Sequence, residues 1–149
     1  MYAVLAAVGE YPTWWPQVRS VERIDADSAV VAVRSVLPYT LRLVLTRDLE
    51  DPDLGVLRVR VGGDLSGWSQ WDVLRGAQTR SADGGRAGGS DAHAGGGGAA
   101  TVARFTEQVE VTGALGRVAG PAAPLLRANH RAMMRAGARG LARLLGQRS

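Results

Sequence analysis

The sequence predicts one α+β domain: a strongly curved antiparallel sheet of about six strands, closed by a long C-terminal helix and preceded by two short helices. Three observations predict it. From Val21 to Leu74 apolar residues recur every second position, in short runs separated by turn residues. One more such run covers Thr101 to Val111. After Pro121 or Pro124 the period changes to 3.6 and holds to about Leu145.

Each element has its own signal. Tyr2 to Val8 reads as a short helix, broken at Glu10-Tyr11-Pro12 because a residue before proline avoids the α region. Thr13 is placed to cap a second short helix with Pro16 near its start, and Trp14-Trp15 between prolines forms a rigid aromatic knuckle. The expected strands are Val21 to Asp25, Ala29 to Leu37, Tyr39 to Leu49, Val56 to Val61, Gly67 to Leu74 and Thr101 to Val111. In the third, Leu41, Leu43, Leu45 and Leu49 share one face; in the last, Ala103, Phe105, Val109 and Val111 do. Asp51-Pro52-Asp53-Leu54-Gly55 and Gly62-Gly63-Asp64 carry turn chemistry. Residues 76–98 are rich in glycine and alanine and read as a flexible loop within the domain, since such a segment buries too little apolar surface to offset its ordering entropy. The final helix presents Leu126, Met133, Met134, Gly137, Leu141 and Leu144 as one stripe, with Gly146 as its stop.

Composition narrows the function classes. The 149 residues are 46% hydrophobic and 21% charged, which fits one globular domain, 1–149, with a core of its own. There is no cysteine, which excludes disulfides, thiolate metal sites and cysteine nucleophiles together. No apolar stretch reaches the roughly 18 residues that span a bilayer, so no integral membrane association is expected and the expected location is cytoplasmic. The net charge is +4 and every basic residue is arginine. The charges are dispersed except on the last helix, so nucleic acid is not an expected partner. No phosphate loop or dinucleotide fingerprint is present, and only His93 and His130 are available as imidazole ligands, so no cofactor and no metal are expected.

Several segments resemble one family. Tyr11-Pro12-Thr13-Trp14-Trp15-Pro16-Gln17-Val18, Leu37-Pro38-Tyr39, Gly63-Asp64-Leu65-Ser66-Gly67-Trp68-Ser69 and Leu125-Leu126-Arg127-Ala128-Asn129-His130-Arg131-Ala132-Met133-Met134 are similar to the START-like, helix-grip superfamily (SRPBCC), in its polyketide cyclase/dehydrase branch. The resemblance implies the helix-grip fold and a cavity between sheet and last helix. That superfamily includes lipid carriers, metabolite binders and aromatase/cyclases, so fold alone does not choose among them. Its fold begins with a strand ahead of the first helix, whereas this sequence opens inside that helix. The expectation is a start codon upstream of Met1, or a sheet without its first strand and with the last strand's edge unpaired.

Polar residues that share parity with the apolar face are the candidate chemistry. Arg47 lies in register with the leucines of its strand, Glu107 with Phe105 and Val109, and His130 within the apolar stripe of the helix. Glu107 and His130 are the best candidates for an acid–base pair. Trp14, Trp15, Tyr39, Arg47, Trp68, Trp71, Phe105 and Met133 are the expected ligand contacts, with the proviso that Trp68 and Trp71 have opposite parity and cannot both face inward. The expected function is binding or carriage of a small apolar or aromatic molecule, such as a lipid or polyketide-like metabolite. The alternatives are a cyclase/dehydrase acting on a polyketide-like substrate, and a surface-interaction protein. The last would use Arg127, Arg131, Arg135, Arg139 and Arg143, which recur every four residues along the helix, although such stripes are commonly a solvated face.

Overall fold

A computed structural model describes residues 1–34, 39–75, 90–94 and 101–147, with the backbone alone at 90–94, 113–123 and 126. The alternating runs pair in sequence order. β1 (Val18–Arg23), β2 (Ser28–Arg34), β3 (Thr40–Asp51), β4 (Val56–Gly63) and β5 (Leu65–Leu74) form an antiparallel meander, and β7 (Thr101–Val111) closes it against β5. A short β6 (Ser90–Ala94) lies on the far side of β7, giving the order β1-β2-β3-β4-β5-β7-β6. Ahead of the sheet come α1 (Tyr2–Ala6), a 3₁₀ turn at Val8–Glu10, and α2 (Tyr11–Trp14). The chain closes with α3 (Gly113–Gly146), 34 residues and about 51 Å long.

Register decides which side chains meet the helix. Trp71 stands opposite Phe105 and Leu57, Ser69 opposite Glu107 and Val59, and Gly67 opposite Val109 and Val61. In the next strands Leu45 faces Val61 and Ala29, and Val31 faces Leu43 and Val21. The buried core gathers on this face: Val31, Val33, Trp71, Val73, Ala103 and Phe105, with Met134 and Leu141 from α3 and Leu5, Tyr11, Trp14 and Trp15 from the N-terminal helices.

The structure departs from the sequence reading in five places. A bulge between Arg47 and Leu49 shifts the register of β3, so Glu50 rather than Leu49 comes to stand opposite Leu57, and Leu49 is left 44% exposed. The last helix begins at Gly113, two turns before the prolines, and passes positions 121 and 124 without ending. Thr13 lies inside α2, where Pro12 holds an early helical position, and its hydroxyl donates to the Glu10 carbonyl at 2.7 Å instead of capping the helix. The β7 edge, bare under one of the two alternatives for the start of the sheet, is taken from Thr101 to Phe105 by β6, a strand inside the segment 76–98 that composition marks as loop. Edge pairing uses backbone groups, which even an apolar-poor segment possesses. The remainder of 76–98, and Leu37-Pro38, fall outside the described residues. Fifth, Trp68 and Trp14 do not reach the space between sheet and helix, for reasons that belong to the site.

Among the described residues no helix is long and apolar enough to cross a membrane.

Candidate functional site

One end of the inner face is filled. Tyr11 and Trp14 meet edge to face at 4.8 Å, Trp14 and Trp15 stack at 5.5 Å, and Trp15 lies 6.3 Å from Trp71 and 6.5 Å from Phe105, which are themselves 4.7 Å apart. Trp14 ends α2 and Trp15 follows it, and the two meet α3 in different ways. Trp14 sits under α3 at Gly140, where a Cβ would run into the Trp14 carbonyl. Trp15 lies over Gly137, with ring atoms 2.7–3.0 Å from where a Cβ would be, and its indole N–H donates to the Met133 carbonyl at 3.2 Å. Two glycines one helical turn apart thus let α3 lie directly on the aromatic knuckle. The Tyr11 hydroxyl, buried among these rings and donating to the Leu5 carbonyl at 2.7 Å, is pushed up from its ordinary pKa by loss of water.

Beyond those rings the sheet and helix part. A pocket of about 1360 Å³ opens between them. Trp15, Trp71 and Phe105 form its closed end. Its sheet wall is the inward parity set, including Val31, Leu41, Leu43, Leu45, Leu57, Val59 and Val109. α3 contributes Leu125, Asn129, His130, Met133 and Met134 on one side, and Leu5 to Tyr11 border it on another.

Polar groups in this wall are few. Glu107 is half-buried between Phe105 and Val109, opposite Ser69. Withdrawal from water pushes its carboxyl above the ordinary carboxylate range, and the opposing pull of His130 across the pocket only partly offsets this. Among the described residues no hydrogen bond joins the two. A carboxyl that keeps its proton can donate to a carbonyl or hydroxyl, and an imidazole beside it can take or give one.

The expected ligand contacts divide cleanly. Trp15, Tyr39, Arg47, Trp71, Phe105 and Met133 all border the pocket, as do Glu107 and His130. Trp14 and Trp68 do not. The Trp14 ring is buried against Tyr11 and Trp15, and its indole N–H finds no partner among the described residues. Trp68 points out of the other face of the sheet, because the pairing of Trp71 with Phe105 fixes the opposite parity inward. There the Arg58 guanidinium lies 5.2 Å from its ring centroid. Arg47 reaches the mouth already engaged, 2.6 Å from Glu50 and 3.5 Å from Asp27, and so ties the β1–β2 turn to β3. In that turn the Asp25 carboxylate accepts the N–H groups of Asp27 and Ser28 at 2.8 and 2.7 Å, which hold it below the ordinary carboxylate range.

Sequence reasoning missed Ser69, Asn129, Glu50 and the residues from Leu5 to Glu10 as pocket lining. Ser69 had a signal, since it shares parity with Trp71, and Asn129 precedes His130 on the helix. Nothing in the sequence marked Glu50, because the bulge that turns it inward follows no turn residue.

Among curated proteins the chain finds no match. The crystal structure of DR_A0006 from Deinococcus radiodurans is similar to it, at 23% identity over 70% of each chain and a TM-score of 0.43. The family model described as polyketide cyclase / dehydrase and lipid transport matches residues 1–136. The resemblance read from the tryptophan, glycine and α3 segments therefore holds over nearly the whole sequence, and the chain belongs to that family.

Proposed function

We propose that this protein binds and carries a small apolar or aromatic molecule, a lipid or polyketide-like metabolite, between its sheet and α3. The observation that carries the reading is the pocket itself: about 1360 Å³, with Trp15, Trp71 and Phe105 at one end and valines and leucines along the sheet. Sites for drug-sized ligands occupy roughly 300–1,000 Å³, so this one has room for a long or polycyclic body. Burial of such a body contributes about 25 cal/mol per Å² of apolar area, without any specific polar contact. Native mass spectrometry of the freshly purified protein is the test. The expected spectrum shows an adduct that organic extraction removes. A bare mass, together with unchanged tryptophan fluorescence on addition of fatty acids or polycyclic aromatics, would sink the reading.

A second reading rests on Glu107 and His130. A carboxyl whose hold on its proton is strengthened by burial, and an imidazole facing the same space, suit dehydration of a β-hydroxy ketone. The imidazole would remove the proton next to the carbonyl, and the carboxyl would protonate the departing hydroxyl, which leaves as water. In this reading His130→Ala and Glu107→Gln abolish turnover of a poly-β-keto substrate while leaving its binding intact. Turnover that survives both substitutions would remove catalysis from the pair.

A further inference from the structure

The charge on α3 has one sign. The helix contains no aspartate or glutamate, and none follows Glu110 anywhere in the chain. Arg127, Arg131, Arg135, Arg139 and Arg143 are all exposed along it. The first three border the pocket and the last two do not. Among the described residues Arg127, Arg131 and Arg135 make no ion pair and no side-chain hydrogen bond.

The other groups around the mouth differ. Arg47 is held by Asp27 and Glu50. Arg23 borders the same space as Asp25 and Asp27, and Glu10 adds a further acid from the 3₁₀ turn. Acid and base are therefore mixed on the sheet side, while the helix side is cationic alone. Like charges four residues apart on a helix repel mildly, and an anion between them relieves that repulsion. A guanidinium presents a fork that matches carboxylate or phosphate oxygens, and beside an apolar wall such as Leu125 and Met133 the pairing is stronger than in open water.

We propose that the pocket's occupant is an anionic amphiphile, with its apolar or aromatic body against Trp15, Trp71 and Phe105 and a carboxylate or phosphate held at the mouth by Arg127, Arg131 and Arg135. The proposal rests on the reading of the pocket as a binding site and adds the chemical class of what it binds. Arg139 and Arg143 supply an internal control, having the same spacing and exposure away from the pocket.

The test compares dodecanoate with dodecan-1-ol, which share a chain and differ in charge, by calorimetry on the full chain. The wild-type protein is expected to bind dodecanoate more tightly. Arg127→Gln/Arg131→Gln/Arg135→Gln should weaken dodecanoate binding by about tenfold and leave dodecan-1-ol unchanged, the loss expected of a charge-assisted contact. Arg139→Gln/Arg143→Gln should bind both as the wild type does. Equal binding of acid and alcohol by the wild type, which needs no variant to fold, overturns the proposal and leaves the pocket reading standing. An equal loss from the Arg139/Arg143 variant overturns it too, since a diffuse field and not a mouth site would then be acting. Binding of neither compound by the wild type overturns the pocket reading, and the proposal with it.

Discussion

At the α2 end of the inner face, Trp15, Trp71 and Phe105 bring their rings within 6.5 Å of one another, and α3 rests on the knuckle through Gly137 and Gly140. Away from those rings, the same sheet offers Leu41, Leu43, Leu45 and Val59, the same helix offers Asn129, His130 and Met133, and a pocket remains between them. The difference is one of reach. Where α3 lacks a Cβ and the sheet carries rings, the gap closes. Where the sheet carries mostly branched aliphatic side chains and no ring, the gap stays open. The closed end thus holds the two layers together most tightly, while Leu41, Leu43, Leu45 and Met133 at the open end only partly pack against the core.

The largest test of that comparison removes a ring. Trp15→Ala should cost about 4 kcal/mol of unfolding free energy, as expected for deleting a buried aromatic that cannot be replaced by collapse. Leu43→Ala, on the same face but half-buried and facing the pocket, should cost about 1 kcal/mol, since it leaves little new cavity. Urea unfolding midpoints measure both. Equal costs would mean the two ends are not distinct.

Next comes the close approach. Gly140→Ala places a methyl against the Trp14 carbonyl, a backbone atom that cannot swing aside, and should cost about 2–3 kcal/mol despite alanine's better helix propensity. Gly146→Ala, with nothing within 4 Å of its would-be Cβ, should stay within about 0.5 kcal/mol of the parent. If Gly140→Ala were also neutral, the helix would not be seated on the knuckle as described.

What the sequence made legible follows the same division. The alternation in β3, β4, β5 and β7 and the 3.6 period of α3 are consequences of burial on one side, and they put Glu107, His130, Trp71 and Phe105 on the side where the pocket lies. The misses come from features that carry no periodic signal. The bulge at Arg47/Leu49 sets Glu50 rather than Leu49 opposite Leu57, so that both border the pocket, yet leaves the composition of the strand unchanged. Parity established that only one of Trp68 and Trp71 faces inward, but the choice was made by pairing with Phe105, more than thirty residues away in the sequence. For Trp14 the sequence shows only a large aromatic, which reads the same whether it packs or binds. The i+4 spacing of the arginines was plain, whereas the division into three at the mouth and two beyond it depends on where the pocket ends.

The open end should also respond to pH through Glu107. Its carboxyl is raised in the folded state by lost hydration, so between the unfolded and folded pKa values the native protein holds more proton than the unfolded chain. Stability from this group is therefore full below the unfolded value and is lost as pH rises through the folded one. Glu107→Gln, which cannot ionise, should raise the melting temperature by a few degrees at about pH 7 and by nothing at about pH 3, where both forms are neutral. A constant difference across that range would show that the carboxyl gains no stability from its proton.

The smallest effect is expected on the outer face, and it sharpens the claim that the pocket lies on one side of the sheet only. Trp68 and Arg58 are neighbours across β4 and β5, with the guanidinium over the indole and its Nε donating to Gln70. A double-mutant cycle through Trp68→Ala and Arg58→Ala should give a coupling of about 0.5–1 kcal/mol, the size of a partly exposed cation–π pair. The same Trp68→Ala protein should bind dodecanoate and dodecan-1-ol as the parent does, because the ring it removes points away from Trp71 and the pocket. Removing Trp71 instead takes away one of the three rings at the pocket's closed end, so Trp71→Ala should weaken both compounds together. A loss of binding on Trp68→Ala matching that on Trp71→Ala would mean that the two faces of β5 are not separate surfaces, and the assignment of the pocket to one of them would fail.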